Sequence, residues 1–242
     1  MVTMRQTAGY LLVAPDGPVE PRPGLVLCPG RTGDIQGLGW LAQPLAARGF
    51  QVCGITYPSD ARYVIHDPEQ VAAAATWLVQ QGLVRDDWLA VAGFSRGGAV
   101  ALLSAARDAR FRAVAALSPL TDNVRYMCAL REYAPRHYAM LLEGRRAAPE
   151  EDPEYYRAIS AIHHVDALLR VPVLLVHGDA DFMNPYDHSV WLHEALLAAG
   201  HRRARLELIE RAGHFYEQQH GGYAHAHVAA LVVAWLAEQA GL

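Results

Sequence analysis

Short apolar runs recur along the chain, and residues that favour turns bound most of them. Pro15-Asp16-Gly17 ends the first run, and Pro29-Gly30 ends the second. Runs of this length between glycine and proline are typical of buried β-strands. The pattern predicts strands at Tyr10–Ala14, Leu25–Cys28, Phe50–Thr56, Trp88–Ala92, Arg112–Leu117, Val171–His177 and Arg205–Ile209.

Longer segments between these strands have the length and end signals of helices. Gly49 and Gly82 stand where two helices would stop, and Pro68 lies in a first helical turn, where its missing N–H costs nothing. The predicted helices are Leu38–Arg48, Asp67–Gln81, Gly97–Ala106, Tyr186–Ala199 and Tyr223–Gln239. Alternating strands and helices predict an α/β fold, with a mostly parallel central sheet flanked by helices on both faces. The length suits a single domain over residues 1–242.

The segment from Thr121 to Leu169 interrupts this alternation. It is rich in Tyr and Arg and contains no clear strand. A segment of this size between two strands is expected to be an inserted helical cap over about residues 121–169. Its tyrosines could line a pocket, although aromatic residues in a cap are more often packing than ligand contacts: Tyr126, Tyr133, Tyr138, Tyr155 and Tyr156.

Composition narrows the possible chemistry and location. The chain has no lysine, which excludes Schiff-base enzymes, Ser–Lys dyads and P-loops. A net charge of −4 and a pI near 6.3 argue against a nucleic-acid partner. Neither a signal peptide nor a membrane-spanning run is visible. The three cysteines are an odd number and lack the spacing of metal ligands. We therefore expect a soluble cytoplasmic protein with no membrane association and no cofactor.

The pentapeptide Gly93-Phe94-Ser95-Arg96-Gly97 fits the pattern Gly-x-Ser-x-Gly. A predicted strand precedes it and a small-residue helix follows it, which is the setting of a nucleophile elbow. The residues two before and two after the serine must be small, because larger side chains would collide with the neighbouring strand and helix. Ser95 is thus predicted to be a catalytic nucleophile, which requires a base and an acid elsewhere in the chain.

Candidates for the acid and the base follow two later strands. Asp179 and Asp181 both follow the strand at Val171–His177, and Asp181 is favoured because it lies further into the loop. Asp179 could instead bind turn amides. His214 follows the strand at Arg205–Ile209, so it belongs at the same sheet edge as Ser95.

Other histidines are given structural or surface roles. His177 ends a strand before glycine and suits a structural role, and His220, His225 and His227 are expected at the surface. The clusters His163-His164 with Asp166, and His225 with His227, lack the spacing of a metal site. No bound metal is predicted.

An acyl-transfer site also needs backbone N–H donors for a developing oxyanion. Arg96, directly after Ser95, would supply one. The loop Cys28-Pro29-Gly30-Arg31-Thr32-Gly33-Asp34 would supply the second, from Arg31 or, with a one-residue shift, Gly30. The two arginine side chains could also favour an anionic substrate, or could point to solvent or acidic neighbours.

With these residues in place, the sequence resembles the α/β-hydrolase superfamily over nearly its whole length. The order Ser95, Asp181, His214 matches the triad order of that superfamily. Pro29-Gly30-Arg31-Thr32-Gly33 is similar to its His-Gly-x-x-Gly oxyanion loop, but has Pro29 where histidine is usual. The resemblance implies an α/β-hydrolase fold with a small helical cap.

Several segments narrow the resemblance to the catalytic domain of the prolyl oligopeptidase family, whose acid and base match Asp181 and His214. These segments are Ser118-Pro119-Leu120-Thr121-Asp122, Asp152 to Ser160 and His177-Gly178-x-x-Asp181. Two departures weaken a peptidase assignment. No β-propeller precedes the domain, and Cys28 stands where the dipeptidyl-peptidase branch has an oxyanion tyrosine.

These features together predict a serine esterase that acts on a small-molecule ester or acyl substrate. The alternative is an aminopeptidase or acyl-peptide hydrolase, which would need an acid such as Glu132, Glu143 or Glu154 of the cap to capture a peptide N-terminus. A second alternative is a non-catalytic binding protein on a hydrolase fold, although an intact Ser, Asp and His set argues against it.

Overall fold

The computed structural model describes residues 1–17, 20–31, 33, 35–57, 66–145 and 147–242. An eight-stranded sheet with the order β1-β2-β4-β3-β5-β6-β7-β8 forms its centre. In chain order the strands are β1 (Val2–Thr7), β2 (Tyr10–Pro15), β3 (Arg22–Cys28), β4 (Gln51–Gly54), β5 (Val84–Phe94), β6 (Phe111–Leu117), β7 (Val173–Gly178) and β8 (Ala204–Ile209).

Strands β3 to β8 run parallel, and the hairpin of β1 and β2 joins them antiparallel at β4. The carboxyl ends of parallel strands meet at one edge of a sheet, where α/β proteins bind ligands. The loops after β3, β5, β7 and β8 therefore converge there, and each carries a predicted site residue.

Helices cover both faces of the sheet. They are α1 (Gly39–Ala47), α2 (Asp67–Gln80), α3 (Arg96–Arg107), α4 (Asn123–Tyr133), α5 (Pro135–Arg145), α6 (Pro153–Ala158), α7 (Val165–Leu168), α8 (Asp187–Ala198) and α9 (His225–Ala240). Successive strand residues point to opposite faces of the sheet. Leu25 packs into the core under α1 and α9, whereas Val26 packs into the core under α2 and α3. The α/β-hydrolase fold class predicted from the sequence is confirmed.

The predicted helix stops also hold. Gly49 and Gly82 lie two residues after the ends of α1 and α2 and have φ of +115° and +64°. This left-handed region favours glycine because other residues would strain their Cβ.

Strand β1 was not predicted, because its residues are mostly exposed and include no apolar run. A two-residue turn at Ala8-Gly9, with positive φ at both residues, pairs it with β2. Main-chain hydrogen bonding to a neighbour thus creates a strand that hydrophobic patterning does not reveal.

Residues 121–169 contain the helices α4 to α7 and a 3-10 turn at Ala161–His164, with no strand among the described residues. The division of the chain into a domain with a cap stays a prediction. Every helix in the described part of the chain is too short or too polar to cross a membrane.

Candidate active site

Ser95 lies in a sharp turn between β5 and α3, with a φ of 56° and a ψ of −117°. A positive φ is rare for serine and costs about 1–3 kcal/mol, so the neighbouring structure must hold it. The Ser95 N–H donates to the Leu117 carbonyl oxygen at 2.8 Å. A Cβ at Gly93 would overlap the carbonyl oxygen of Gly97, and one at Gly97 would overlap that of Cys28. Both glycines are therefore required by close backbone packing.

Three side chains from separate loops form one chain of hydrogen bonds. Ser95 Oγ lies 2.9 Å from His214 Nε2, and His214 Nδ1 lies 2.7 Å from Asp181 Oδ2. The structure thus brings together all three predicted triad residues. Asp179 instead accepts the Arg211 N–H at the protein surface.

Asp181 is buried, and both of its carboxylate oxygens accept hydrogen bonds. Its Oδ1 accepts the N–H groups of Met183 and Asn184, each at 2.9 Å. Burial raises the pKa of this carboxyl, but hydrogen bonds from His177 and His214 outweigh burial and lower the pKa to about 2. Asp181 is therefore ionised at neutral pH.

His177 is a second imidazole on the same carboxylate oxygen. Its Nε2 lies 3.2 Å from Asp181 Oδ2 and 2.9 Å from the Asn184 carbonyl oxygen. Both partners are acceptors, so Nε2 carries the hydrogen and Nδ1 accepts from Ser189 Oγ at 2.7 Å. The structural role predicted for His177 is therefore exerted directly on Asp181.

The protonation of His214 follows from its partners. Because the ionised Asp181 faces Nδ1, that nitrogen carries the hydrogen. Nε2 then presents a lone pair to the Ser95 hydroxyl. The ring is buried against Phe94 and Phe215, each at a centroid distance of 5.1 Å. Geometry and tautomer suit proton abstraction from Ser95.

The predicted oxyanion loop lies beside Ser95. Gly30 and Arg31 line a cavity together with Ser95, and the Gly33 N–H closes a turn on the Gly30 carbonyl oxygen at 3.1 Å. Thr32 and Asp34 of this loop lie outside the described residues. The oxyanion roles of the Arg31 and Arg96 amides stay predictions.

The Arg96 side chain turns to an acidic neighbour rather than to a substrate. Its Nε and a terminal guanidinium nitrogen bind both carboxylate oxygens of Asp67, at 2.8 and 2.9 Å. The guanidinium also lies 4.4 Å from the centroid of the Tyr57 ring. Both ion-pair partners are buried, so this arginine positions helices rather than attracting a substrate anion.

A large cavity of about 420 Å³ opens on one side of Ser95. Its walls are mainly aromatic and come from the segment entering α1, the loop around His214 and the start of α9. They include Trp40, Phe94, Phe215, Tyr223 and His225. His225, expected at the surface, is half-buried, and its ring stacks on Trp40 as part of the cavity wall. Trp40 lies in α1 and His225 in α9, so only the tertiary contact between these helices brings their rings together.

A small cavity of about 100 Å³ lies on the other side of Ser95, next to α3, α4 and α5. Leu120, Asn123, Tyr126 and Leu141 line it. Of the tyrosines considered from sequence, only Tyr126 lines a described cavity, whereas Tyr156 is fully buried in the core.

Acidic residues are absent from the described lining of both cavities. The three glutamates proposed from sequence as amine-binding candidates, Glu132, Glu143 and Glu154, are all exposed and lie outside both linings. Within the described ranges, no group of three or more His, Cys, Asp or Glu side chains is arranged to hold a metal.

Comparisons with known proteins identify the family of this chain. A model described as the prolyl oligopeptidase family matches residues 59–242. Inactive dipeptidyl peptidase 10 of Mus musculus is 26% identical over 153 residues, which cover 63% of this chain and 18% of that protein. The chain therefore spans about a fifth of the length of such curated relatives.

Solved structures share the fold at low identity. Dipeptidyl peptidase 4 of Porphyromonas gingivalis has a TM-score of 0.77 at 20% identity, covering 98% of this chain and 35% of that chain. A truncated carbohydrate esterase from gut microbiota has a TM-score of 0.76 at 17% identity, covering 96% of this chain and 91% of the other. At these identities the likeness establishes the fold alone.

Proposed function

The chain belongs to the prolyl oligopeptidase family, and from that premise we propose that it is a serine hydrolase that cleaves carboxylic esters. The observation that carries the proposal is the unbroken hydrogen-bond chain from Ser95 through His214 to Asp181, which opens on a mainly apolar cavity. Solved structures with this fold include a peptidase and an esterase, so fold likeness leaves the scissile bond open. The chemistry of the cavities supports the ester.

In the proposed reaction Ser95 Oγ attacks the acyl carbon while His214 Nε2 takes the hydroxyl proton. Asp181 holds the imidazole in the required tautomer and stabilises the imidazolium that forms. The developing oxyanion is held by the Arg96 amide and by an amide of Arg31 or Gly30. Loss of one such donor typically lowers kcat by about 10²–10³.

Collapse of this intermediate breaks the bond to the alcohol, and the proton on His214 passes to the departing oxygen. Water then attacks the acyl-enzyme, with His214 as base, to release the acid and restore Ser95.

Hydrolysis of p-nitrophenyl esters, from acetate to decanoate, by the wild type and Ser95→Ala tests this proposal. We expect Ser95→Ala to lower kcat/KM by at least about a thousandfold with an unchanged circular dichroism spectrum. A fluorophosphonate probe should label only the wild type.

Ser104→Ala is the matched control for this test. Ser104 is buried in α3, and its hydroxyl makes no hydrogen bond with the described residues. The same substitution there should leave kcat/KM within about twofold. Equal activity of Ser95→Ala and the wild type would remove Ser95 from the mechanism.

An aminopeptidase or acyl-peptide hydrolase is the second candidate, because curated relatives carry peptidase names. This candidate needs a group that captures a peptide amine, and the described cavity walls supply no carboxylate for it. A non-catalytic role, as the name of one relative indicates for that protein, would leave the aligned triad without a purpose.

A further inference from the structure

The two cavities meet at Ser95, so an ester bound there would place its acyl part in one and its alcohol part in the other. Arg31, Ser95, Met183 and His214 line both cavities. The large cavity otherwise belongs to the α1 and α9 side of the sheet, and the small cavity to the α3 to α5 side. Which cavity receives the alcohol follows from proton transfer.

His214 must deliver its proton to the departing alcohol oxygen, so the alcohol has to leave on the side from which His214 approaches. The loop that carries this base runs along the large cavity, where His214, Phe215 and Tyr216 are consecutive lining residues. His214 lines both cavities, but the two residues that follow it line only the large one. Beyond the shared residues, the small cavity is lined by Leu120, Asn184 and residues of α3 to α5. The large cavity is therefore the side of the leaving group.

We infer that the large cavity binds an aromatic alcohol, so that the substrates are aryl esters; this inference rests on the proposed ester hydrolysis. Within the cavity, Trp40 and His225 stack at a centroid distance of 4.3 Å and an angle of 7°. Tyr223 also stacks on His225, at a centroid distance of 4.8 Å and an angle of 22°. Flat rings are recognised by offset or edge contacts with such a surface.

The aromatic wall is held in place before any ligand arrives. His225 Nε2 lies 2.9 Å from the Phe215 carbonyl oxygen and donates to it, which ties the ring stack to the His214 loop. Phe94 packs against Phe215 at 5.6 Å on the inner side. Rigid rings lose little conformational freedom on binding, so the cavity is preorganised. Its volume of about 420 Å³ lies within the range of about 300–1,000 Å³ for small-molecule pockets.

The size of the small cavity limits the size of the acyl part of the substrate. Its volume of about 100 Å³ is about a quarter of the 420 Å³ of the large cavity. A short acyl group, smaller than the alcohol, is the expected occupant.

Esters of one acid with different alcohols test the inference, because all of them pass through the same acetyl-enzyme. Values of kcat/KM for 2-naphthyl, phenyl and ethyl acetate report attack and departure of the alcohol, whereas hydrolysis of the acetyl-enzyme does not involve it. Tyr223→Leu and Trp40→Leu should lower kcat/KM for naphthyl acetate roughly three- to tenfold more than for ethyl acetate. Both substitutions should lower kcat/KM and leave the rate of acetyl-enzyme hydrolysis unchanged.

Matched variants separate this effect from general damage. Tyr133→Leu changes a tyrosine that is 72% exposed and lines neither cavity, against 62% exposure for Tyr223. It should not discriminate between the esters. Leu141→Ala, in the small cavity, should alter acetyl-enzyme hydrolysis equally for all three esters. Equal losses for aryl and alkyl acetates in Tyr223→Leu, or slower acetyl-enzyme hydrolysis in that variant, would overturn the inference.

Direct binding keeps this test apart from that of the proposed function. Calorimetry with 2-naphthol and Ser95→Ala should give a Kd that rises roughly three- to tenfold on adding Tyr223→Leu. Binding without any ester hydrolysis by the wild type would refute the proposed function alone. No binding of 2-naphthol by a folded, ester-hydrolysing protein would refute the aromatic alcohol alone.

Discussion

Asp181 accepts two imidazole N–H groups on one carboxylate oxygen and two backbone N–H groups on the other. These bonds hold its pKa near 2, below the value of about 3.9 in an unfolded chain. The ionised carboxylate therefore adds stability that is complete above the unfolded pKa and is lost as the pH falls through the folded pKa. At the residue scale, His177 helps to keep the acid ionised and oriented.

Replacing His177 with Phe should raise the pKa of Asp181, so in the pH profile of stability the loss in acid should become smaller and be complete at a higher pH. We expect kcat to fall roughly tenfold to a hundredfold, as for a lost hydrogen bond to a charged group, and His177→Gln to recover part of it. His201→Gln is the matched control: this buried imidazole bonds the Val171 carbonyl oxygen at the opposite sheet edge. It should cost stability without moving the pH profile. An unchanged profile in His177→Phe would contradict the positioning role.

The first turns of α2 and α3 are joined by a buried ion pair. Asp67 begins α2, where its negative charge suits the helix dipole, and Arg96 begins α3, where a positive charge does not. The bidentate ion pair between them compensates the positive charge of the arginine and fixes the helix that starts behind Ser95. At the element scale, this pair secures the nucleophile turn from outside the reaction.

Asp67→Ala should destabilise the fold by about 3–5 kcal/mol, because it removes the carboxylate that compensates the buried Arg96 guanidinium. The double variant with Arg96→Ala should cost clearly less than the sum of the single changes. Urea unfolding measures all three. Asp87→Ala is the control, since the Arg85–Asp87 contact is equally two-pronged but exposed, and its removal should shift the midpoint little. A single variant as stable as the wild type would disprove the role of the pair.

Parallel strands from distant parts of the sequence end at one sheet edge, which brings Ser95, His214 and Asp181, the proposed nucleophile, base and acid, into one hydrogen-bonded chain beside two cavities. The described walls of these cavities contain aromatic and apolar groups with a few cations, and no carboxylate. At the scale of the whole molecule, these walls support the proposed neutral ester substrate, since they offer no carboxylate to a charged peptide amine.

Alanine p-nitroanilide and its N-acetyl derivative test this property. A carboxylate that binds the free amine of a substrate typically raises kcat/KM roughly tenfold to a hundredfold. We expect acetylation of the amine to change kcat/KM by less than about threefold, and p-nitrophenyl acetate to be the better substrate of the three. A free-amine preference above tenfold would favour the aminopeptidase instead. Benzoyl alanine p-nitroanilide, with an equally blocked amine, controls for the size of the blocking group.

Local sequence patterns predicted most of the elements, because burial of apolar runs and glycine at chain reversals are local requirements. They missed β1, whose pairing depends on the neighbouring strand. They also did not reveal the stacking of His225 on Trp40, because that contact joins segments far apart in the chain.

The sequence by itself determined the parallel α/β architecture and the order of Ser95, Asp181 and His214, since both depend on periodicity and on short motifs. Only the tertiary structure decided that Asp181 rather than Asp179 meets His214, that Arg96 turns to Asp67, and that an aromatic cavity lies beside Ser95. The physical reason is that side-chain direction and pocket shape arise from packing between distant segments, which no local pattern encodes.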